Sequence, residues 1–87
     1  MGEERTIRVK VLLFGPAAEA AGGAESFVTV REGSAVGAVR KALVDRTPAL
    51  GAVLETSRLA VNAAFASEEE ALRDGDEVAV IPPVSGG

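Results

Sequence analysis

The stretch SAVGAVRKALVDR, residues 34–46, carries the clearest helical pattern in the chain. Its apolar residues recur at the spacing of one helix face, as Val36, Val39 and Leu43. Ser34 is a plausible N-cap, and Pro48 disfavours helical backbone in the residue before it. The stretch therefore predicts one main helix, which starts after Ser34 and ends at Thr47.

Two strands are predicted before this helix. In TIRVKVLLF, residues 6–14, the apolar residues Ile7, Val9, Val11 and Leu13 alternate with the period of a strand that has one buried face. ESFVTVRE, residues 25–32, is a second strand by its alternation and β-branched content, and we expect Phe27 in the core. Between them, PAAEAAGG predicts a short helix that stops at Gly22-Gly23.

Further short strands are predicted after the main helix, beyond the ambiguous connecting segment ALGAVLETS. RLAVN, residues 58–62, predicts a strand with Leu59 and Val61 facing inward, and AFAS is a candidate for another. Residues 68–70 are expected to form a solvated helical turn. The turn at Asp74-Gly75 starts the last strand, residues 77–81, which must end before two prolines that cannot donate to a sheet.

The order of these elements predicts an α+β fold. One main helix that follows the first two strands, and packs across one face of a mixed sheet, suits a β-grasp (ubiquitin-like) roll. In that arrangement the first and last strands lie side by side. We therefore expect a β-grasp domain over residues 1–81 and a flexible Gly-Gly tail over residues 82–87.

The composition excludes several classes of function. At 87 residues the chain can bury one modest core, and it has no Cys and no His to serve as nucleophile, base or zinc ligand. The three consecutive glutamates at 68–70 would fan around a helix, so we expect no metal site. A net charge of −4 and only 3 aromatic residues argue against nucleic acid.

The opening segment MGEERTIRVK is polar, and no apolar run approaches the roughly 20 residues that span a bilayer. We expect no signal peptide, no membrane partner and a cytoplasmic location.

The last residues, PPVSGG, point to chemistry at the C-terminus. Six extended residues span roughly 20 Å, which is enough to enter a cleft of another protein. Proline favours an extended exit, and glycine fits a narrow channel because it has no Cβ. We expect Pro82, Pro83, Val84, Ser85 and Gly86 to thread into a partner, with the α-carboxylate of Gly87 as the reactive group.

Three segments together, VKVLLFGPAAEAAGG, LAVNAAFAS and DGDEVAVIPPVSGG, resemble the small, sulfur-carrying subunits of molybdopterin synthase in the MoaD/ThiS family. The resemblance covers residues 7–87 and is most specific at the C-terminal end. Family members commonly carry a Leu-Arg-Glu segment where this chain has PAAEAAGG, of which Glu19 remains.

The resemblance implies a sulfur carrier. An adenylyl/sulfurtransferase similar to ubiquitin-activating enzymes would use ATP to adenylate Gly87 and would convert it to a thiocarboxylate. The large synthase subunit would supply the catalytic groups and use the sulfur to build molybdopterin, in a heterotetramer of two small and two large subunits. The small subunit would then be non-catalytic and would carry no cofactor of its own besides the covalent sulfur.

An apolar surface is predicted beside the tail. If the first and last strands are neighbours, Leu12, Phe14, Ala79 and Ile81 lie on the sheet face opposite the helix. Phe65 could join them, and the resemblance places Phe14, Phe65 and Ile81 at partner-facing positions. Curling of the small sheet, which would bury some of these residues, is the alternative.

Other functions remain open from the sequence. A ubiquitin-like modifier would deliver the activated Gly87 to a lysine amine, and a thiamine-pathway sulfur carrier would also keep the Gly-Gly end. A non-covalent β-grasp adaptor would not need the tail.

Overall fold

The computed structural model of the chain describes residues 4–83. Within this range the chain forms five strands and three α-helices. In chain order they are β1 (Thr6–Leu13), α1 (Pro16–Ala21), β2 (Glu25–Arg31), α2 (Val36–Arg46), α3 (Leu50–Glu55), β3 (Arg58–Val61), β4 (Ala64–Phe65) and β5 (Glu77–Ile81).

The strands form one mixed sheet in the order β2-β1-β5-β3-β4. β1 pairs antiparallel with β2 and parallel with β5, so the first and last strands are neighbours at the centre of the sheet. β5 also pairs antiparallel with β3. With α2 as the main helix on one face, this is the predicted β-grasp arrangement.

The core lies between the helices and one face of the sheet, which we call the inner face. The two central strands contribute the residues Val9, Val11, Leu13, Val78 and Val80, each at most 1% exposed. The helices contribute Val36, Val39, Leu43, Leu50 and Leu54. The predicted face of the main helix is therefore confirmed. The segment ALGAVLETS, whose structure is ambiguous from the sequence, contains α3.

The start of α2 differs from the prediction. Ala35 occupies the N-cap position, and no side chain caps it. Instead, the backbone N–H groups of Val36 and Gly37 donate to carbonyls in the segment 68–70. The prediction of Ser34 as N-cap was wrong, because a distant loop satisfies the N–H groups that a cap would otherwise bind.

The segment 68–70 does not form the predicted helical turn; residues 68 and 69 form a non-helical turn. Its carbonyls are used by α2, and its Glu68 carboxylate accepts a hydrogen bond from Nε of Arg40 at 2.7 Å. Arg40 also donates to the carbonyl of Leu54 at the end of α3. One guanidinium thus joins both helices to the loop that precedes β5.

Candidate functional site

The exit of the tail is set by β5. Its last ladder residue is Ile81, which lies opposite Arg58, and the following residues Pro82 and Pro83 are in no strand. Pro82 is half-buried and Pro83 is exposed. The other predicted tail residues, Val84, Ser85, Gly86 and Gly87, lie outside the described residues. The division of the chain at residue 81 therefore stays a prediction.

The strand register aligns four apolar side chains across the outer face, the sheet face opposite the helices. Leu12 of β1 lies opposite Ala79 of β5, and Ala79 lies opposite Ala60 of β3. Ala60 lies in turn opposite Phe65 of β4. A single row thus crosses four strands and brings together three of the five predicted patch residues.

The other two predicted patch residues lie at the tail end of this row. Ile81 is two residues beyond Ala79 in β5 and therefore shares its face. Phe14 directly follows β1 and is 45% exposed. The predicted apolar surface is thus present next to the tail exit, while its role in partner binding stays a prediction.

A depression of about 170 Å³ lies in the part of this surface that β3, β4 and β5 form. It is lined by Ala60, Ala63, Phe65, Ala79 and Ile81. Ala60 is only 6% exposed yet lies outside the core cluster, so it forms the floor of the depression. We call these five residues, with Leu12 and Phe14, the outer patch. Ala60 and Ala63 were not predicted from the sequence, because their small side chains give no strong apolar signal.

The shape of the depression depends on the turn between β3 and β4. Asn62 and Ala63 both have positive φ, at 49° and 72°, as a two-residue type I′ hairpin requires. The Asn62 side chain accepts a hydrogen bond from the Glu77 backbone N–H and donates one to the Asp76 carboxylate, both at 3.0 Å. These bonds fix the hairpin to the start of β5 and thereby position Phe65.

One cation borders the outer patch. The guanidinium carbon of Arg58 lies 3.8 Å from the centre of the Phe65 ring, which is close enough for a cation–π interaction. Within residues 4–83 no carboxylate lies within 4.0 Å of Arg58. The patch therefore presents an apolar floor, an exposed aromatic ring and a positive charge at its rim.

The part of the outer face away from the tail is more polar. Phe27 of β2 is 44% exposed and lies beneath the Arg8 guanidinium, 4.0 Å from its ring centre. The expectation that Phe27 belongs to the core was wrong. It alternates with the buried Val28, so strand geometry turns its ring to the opposite face.

A second depression, of about 340 Å³, lies here and is lined by Arg8, Lys10, Phe27, Asp74 and Gly75. It mixes both charges with one aromatic ring, unlike the apolar depression beside the tail.

The described residues contain no group of three or more acidic side chains placed to hold a metal ion. No helix among them is long and apolar enough to cross a membrane. Glu19, in the segment PAAEAAGG, lies exposed on α1.

Comparison with known proteins also finds a similarity that reaches the final residue. The ThiS family model matches residues 11–87, which includes all of β5 and the tail. The chain belongs to the ThiS family. Membership agrees with the resemblance seen in the sequence.

Two relatives illustrate the similarity, and both are named molybdopterin synthase sulfur carrier subunit. The protein of Chlamydomonas reinhardtii is 37% identical over 83 residues, which cover 93% of this chain and 100% of the relative. The protein of Mycobacterium tuberculosis is 39% identical over 82 residues, which cover 93% of this chain and 99% of the relative.

The fold is also similar to that of a solved structure. SAMP1, the small archaeal modifier protein 1 of Haloferax volcanii, superposes with a TM-score of 0.83 at 35% identity. The match covers 92% of this chain and 99% of SAMP1. The β-grasp fold predicted from the order of elements is thereby confirmed.

Proposed function

We propose that this chain is a sulfur carrier subunit of molybdopterin synthase, which delivers sulfur as a thiocarboxylate on Gly87. The observation that carries the proposal is the continuity between β5 and the tail. β5 contributes Ala79 and Ile81 to the outer patch and leads directly into Pro82. A partner that docks on the patch therefore meets the start of a segment able to reach roughly 20 Å.

The chemistry begins at a carboxylate, which is a poor electrophile. An adenylyl/sulfurtransferase similar to ubiquitin-activating enzymes transfers AMP from ATP to the α-carboxylate of Gly87 and releases pyrophosphate. Hydrosulfide from a sulfur donor then attacks the acyl carbon, so that a C–S bond forms while the C–O bond to AMP breaks. AMP and a proton leave, and the acyl group keeps the sulfur as a thiocarboxylate. Because the activation consumes ATP, the proposal assigns this reaction to the cytoplasm.

The large synthase subunit supplies the catalytic groups in this proposal. The chain has no His and no Cys, the side chains that most often act as base or nucleophile near neutral pH. Its own residues instead bind and orient, since the outer patch docks and the tail holds the acyl group in the partner's active site. Two small and two large subunits would form the complete heterotetramer.

The decisive variant is a deletion of Gly87. It moves the terminal carboxylate about 3.3 Å back from the partner's catalytic groups, and a displacement of even about 1 Å can cost on the order of 10²-fold in rate. We expect sulfur transfer to be abolished. The measurement is thiocarboxylate formation with activating enzyme, ATP and a sulfur donor, followed by intact mass as the exchange of one oxygen for sulfur.

Two matched variants serve as controls. Adding one residue after Gly87 converts its carboxylate to an unreactive amide, so this variant should fail equally. Gly87→Ala keeps the carboxylate but adds a methyl group beside it, so we expect a partial loss. All three variants should bind the large subunit as wild type does, through the outer patch. Efficient sulfuration and turnover by the deletion variant would refute the carrier function.

A second candidate function is that of a ubiquitin-like modifier, favoured by the similarity to the small archaeal modifier protein 1. A modifier would transfer the same activated acyl group to a lysine amine and form an isopeptide bond. The chain itself contains only two lysines, Lys10 and Lys41, whose side chains are 37% and 77% exposed. Chains linked through the protein itself would therefore form mainly at Lys41.

One incubation separates the two functions. Activated protein is mixed with a lysate of its native cell, and the products are separated by mass. Soluble thiocarboxylate that disappears only when the large subunit and precursor are present supports the carrier. Accumulation of higher-mass conjugates that require Gly87 supports the modifier.

A further inference from the structure

The sheet has two free edges of unequal length. At one edge, β4 comprises only Ala64–Phe65. At the other, β2 extends over seven residues, Glu25–Arg31, without a proline. A long edge strand exposes a row of backbone donors and acceptors that another strand can pair with.

The ladder between β1 and β2 identifies which groups face this edge. The N–H of Leu13 donates to the carbonyl of Ala24 at 2.9 Å, and the N–H of Glu32 donates to that of Arg5 at 2.8 Å. Hydrogen-bonded and non-hydrogen-bonded pairs alternate between these two ends. Four residues therefore direct both backbone groups outward, namely Glu25, Phe27, Thr29 and Arg31.

Two of these outward groups are covered from within the chain, and one is the carbonyl oxygen of Arg31, which accepts a hydrogen bond from the N–H of Ser34 at 3.0 Å. The other is the carbonyl oxygen of Phe27. Arg46, the last residue of α2, donates from Nη2 to the carbonyl oxygen of Phe27 at 2.8 Å. Its Nη1 lies 3.4 Å from Oγ of Ser26. Among the described residues, no other hydrogen bond reaches the outward backbone groups of Phe27 or Thr29.

We propose that the free edge of β2 is a self-association surface, on which a second copy of this chain pairs antiparallel about Val28 and which Arg46 partly closes. In this register the outward groups of Phe27 meet those of Thr29 of the second copy. Because these backbone N–H and C=O groups already point away from β1, the new ladder forms without breaking the ladder between β1 and β2. The proposal does not depend on the sulfur-carrier function.

Charge complementarity selects a second copy as the occupant. Pairing about Val28 places Glu25 opposite Arg31 of the second copy, and two-fold symmetry repeats this contact. Shifting the register by two residues in either direction removes both contacts. In the single chain, Glu25 pairs with Lys10 at 3.4 Å and Arg31 pairs with Glu4 at 3.3 Å. Both ion pairs are exposed, so they are weak and rearrange readily.

The strand order leaves the candidate functional site accessible in such a dimer. β2 is separated from β5 by β1, and the depression beside the tail lies on β3, β4 and β5. A continuous sheet through two copies would therefore carry two outer patches and two tails.

The test measures self-association of the full chain by sedimentation velocity over a concentration series. Arg46→Met removes the guanidinium donors and keeps an apolar stem, so we expect self-association at least about tenfold tighter than wild type. Lys41→Met removes one positive charge from the same helix without touching β2, and should behave as wild type. An Arg46→Met protein that remains as monomeric as wild type overturns the proposal, as does equal association of the two variants.

Three further variants, made in the Arg46→Met background, test the surface and the register. Thr29→Pro removes an N–H that faces the free edge rather than β1, so the domain should keep its circular dichroism spectrum and lose self-association. Glu25→Arg alone should weaken association by placing two arginines opposite each other. Adding Arg31→Glu should restore it. Association that persists with Thr29→Pro, or a charge swap that restores nothing, assigns the contact to another surface or register and contradicts the proposal.

Discussion

The inner and outer faces of β1 and β5 are built from alternate residues of the same two strands. On the inner face, Leu13 and Val80 pair and are almost completely buried against the helices. On the outer face, Leu12 and Ala79 pair and are only half-buried. A shift of one position along the chain therefore moves a side chain from the core to the outer patch.

This difference implies that folding stability and partner binding can be altered separately in a small domain. The inner residues have contacts on every side and determine whether the sheet forms. The outer residues have no layer above them within the described chain, so their apolar area is available to a partner. Substitutions on the two faces should therefore have different consequences, and the following variants test that separation.

The largest effect is expected from Leu13→Ala. Removing a buried leucine side chain leaves a cavity in the core and typically costs about 2–5 kcal/mol of unfolding free energy. Chemical denaturation measures the loss. The matched control is Leu12→Ala, which removes the same atoms from the outer face and should cost less than about 1.5 kcal/mol. Equal losses at the two positions would mean that the outer face is covered within the folded chain.

Phe14→Asp is expected to act on binding rather than on folding. A carboxylate at a residue 45% exposed remains solvated in the free domain, but it must be desolvated when a partner covers it. We expect the affinity for the large subunit to fall by about 10- to 100-fold, with an unchanged circular dichroism spectrum. Calorimetric titration measures the affinity. An unfolded variant would place Phe14 in the core, and normal binding would place the docking surface elsewhere.

Much of this separation could be predicted from the sequence, because alternation is a local property. The alternating residues of β1 and β5 give the face of Leu12, Ala79 and Ile81 without any knowledge of the fold. The strand order in the structure shows in addition that these residues are neighbours. Phe27 follows the same rule, since it alternates with the buried Val28 and therefore faces outward although a large aromatic side chain is typical of a core.

Other features depend on contacts between distant segments and could not be predicted. Ser34 has the right chemistry for an N-cap, but the carbonyls of residues 68–70 bind the N–H groups at the start of α2. Likewise, Ala60 forms the floor of the depression only because β3 lies between β4 and β5. No local pattern specifies that strand order.

A smaller effect is expected from Ala63→Gly, which tests the turn that shapes the outer patch. Ala63 has a φ of 72°, where a Cβ is disfavoured by roughly 1–2 kcal/mol. Glycine relieves this strain but increases the entropy of the unfolded chain, so we expect a net gain of about 0.5–1 kcal/mol. Thermal unfolding measures it.

Ala52→Gly, an exposed position within α3, provides the control for this prediction. The same substitution in a helix should destabilise by roughly 0.5–1 kcal/mol. Opposite signs at the two positions support strain at the hairpin, whereas a loss at both would show that Ala63 is unstrained.

The smallest effect on binding is expected at Phe27, and comparison with Phe65 makes it informative. Both rings are about half exposed and each lies beneath one arginine, Arg8 at 4.0 Å and Arg58 at 3.8 Å. Since an exposed cation–π contact contributes about 0.5–1 kcal/mol, Phe27→Ala and Phe65→Ala should each destabilise by about 1 kcal/mol. A core phenylalanine would cost about 3–5 kcal/mol.

The two variants should differ in binding because only Phe65 lines the depression beside the tail. Phe65→Ala should weaken affinity for the large subunit by about tenfold or more, as expected for an aromatic anchor, and Phe27→Ala should leave it unchanged. Titration of both variants against the same partner preparation compares them directly. Equal loss of affinity would extend the docking surface across β1 to β2, and it would then compete with self-association at the β2 edge.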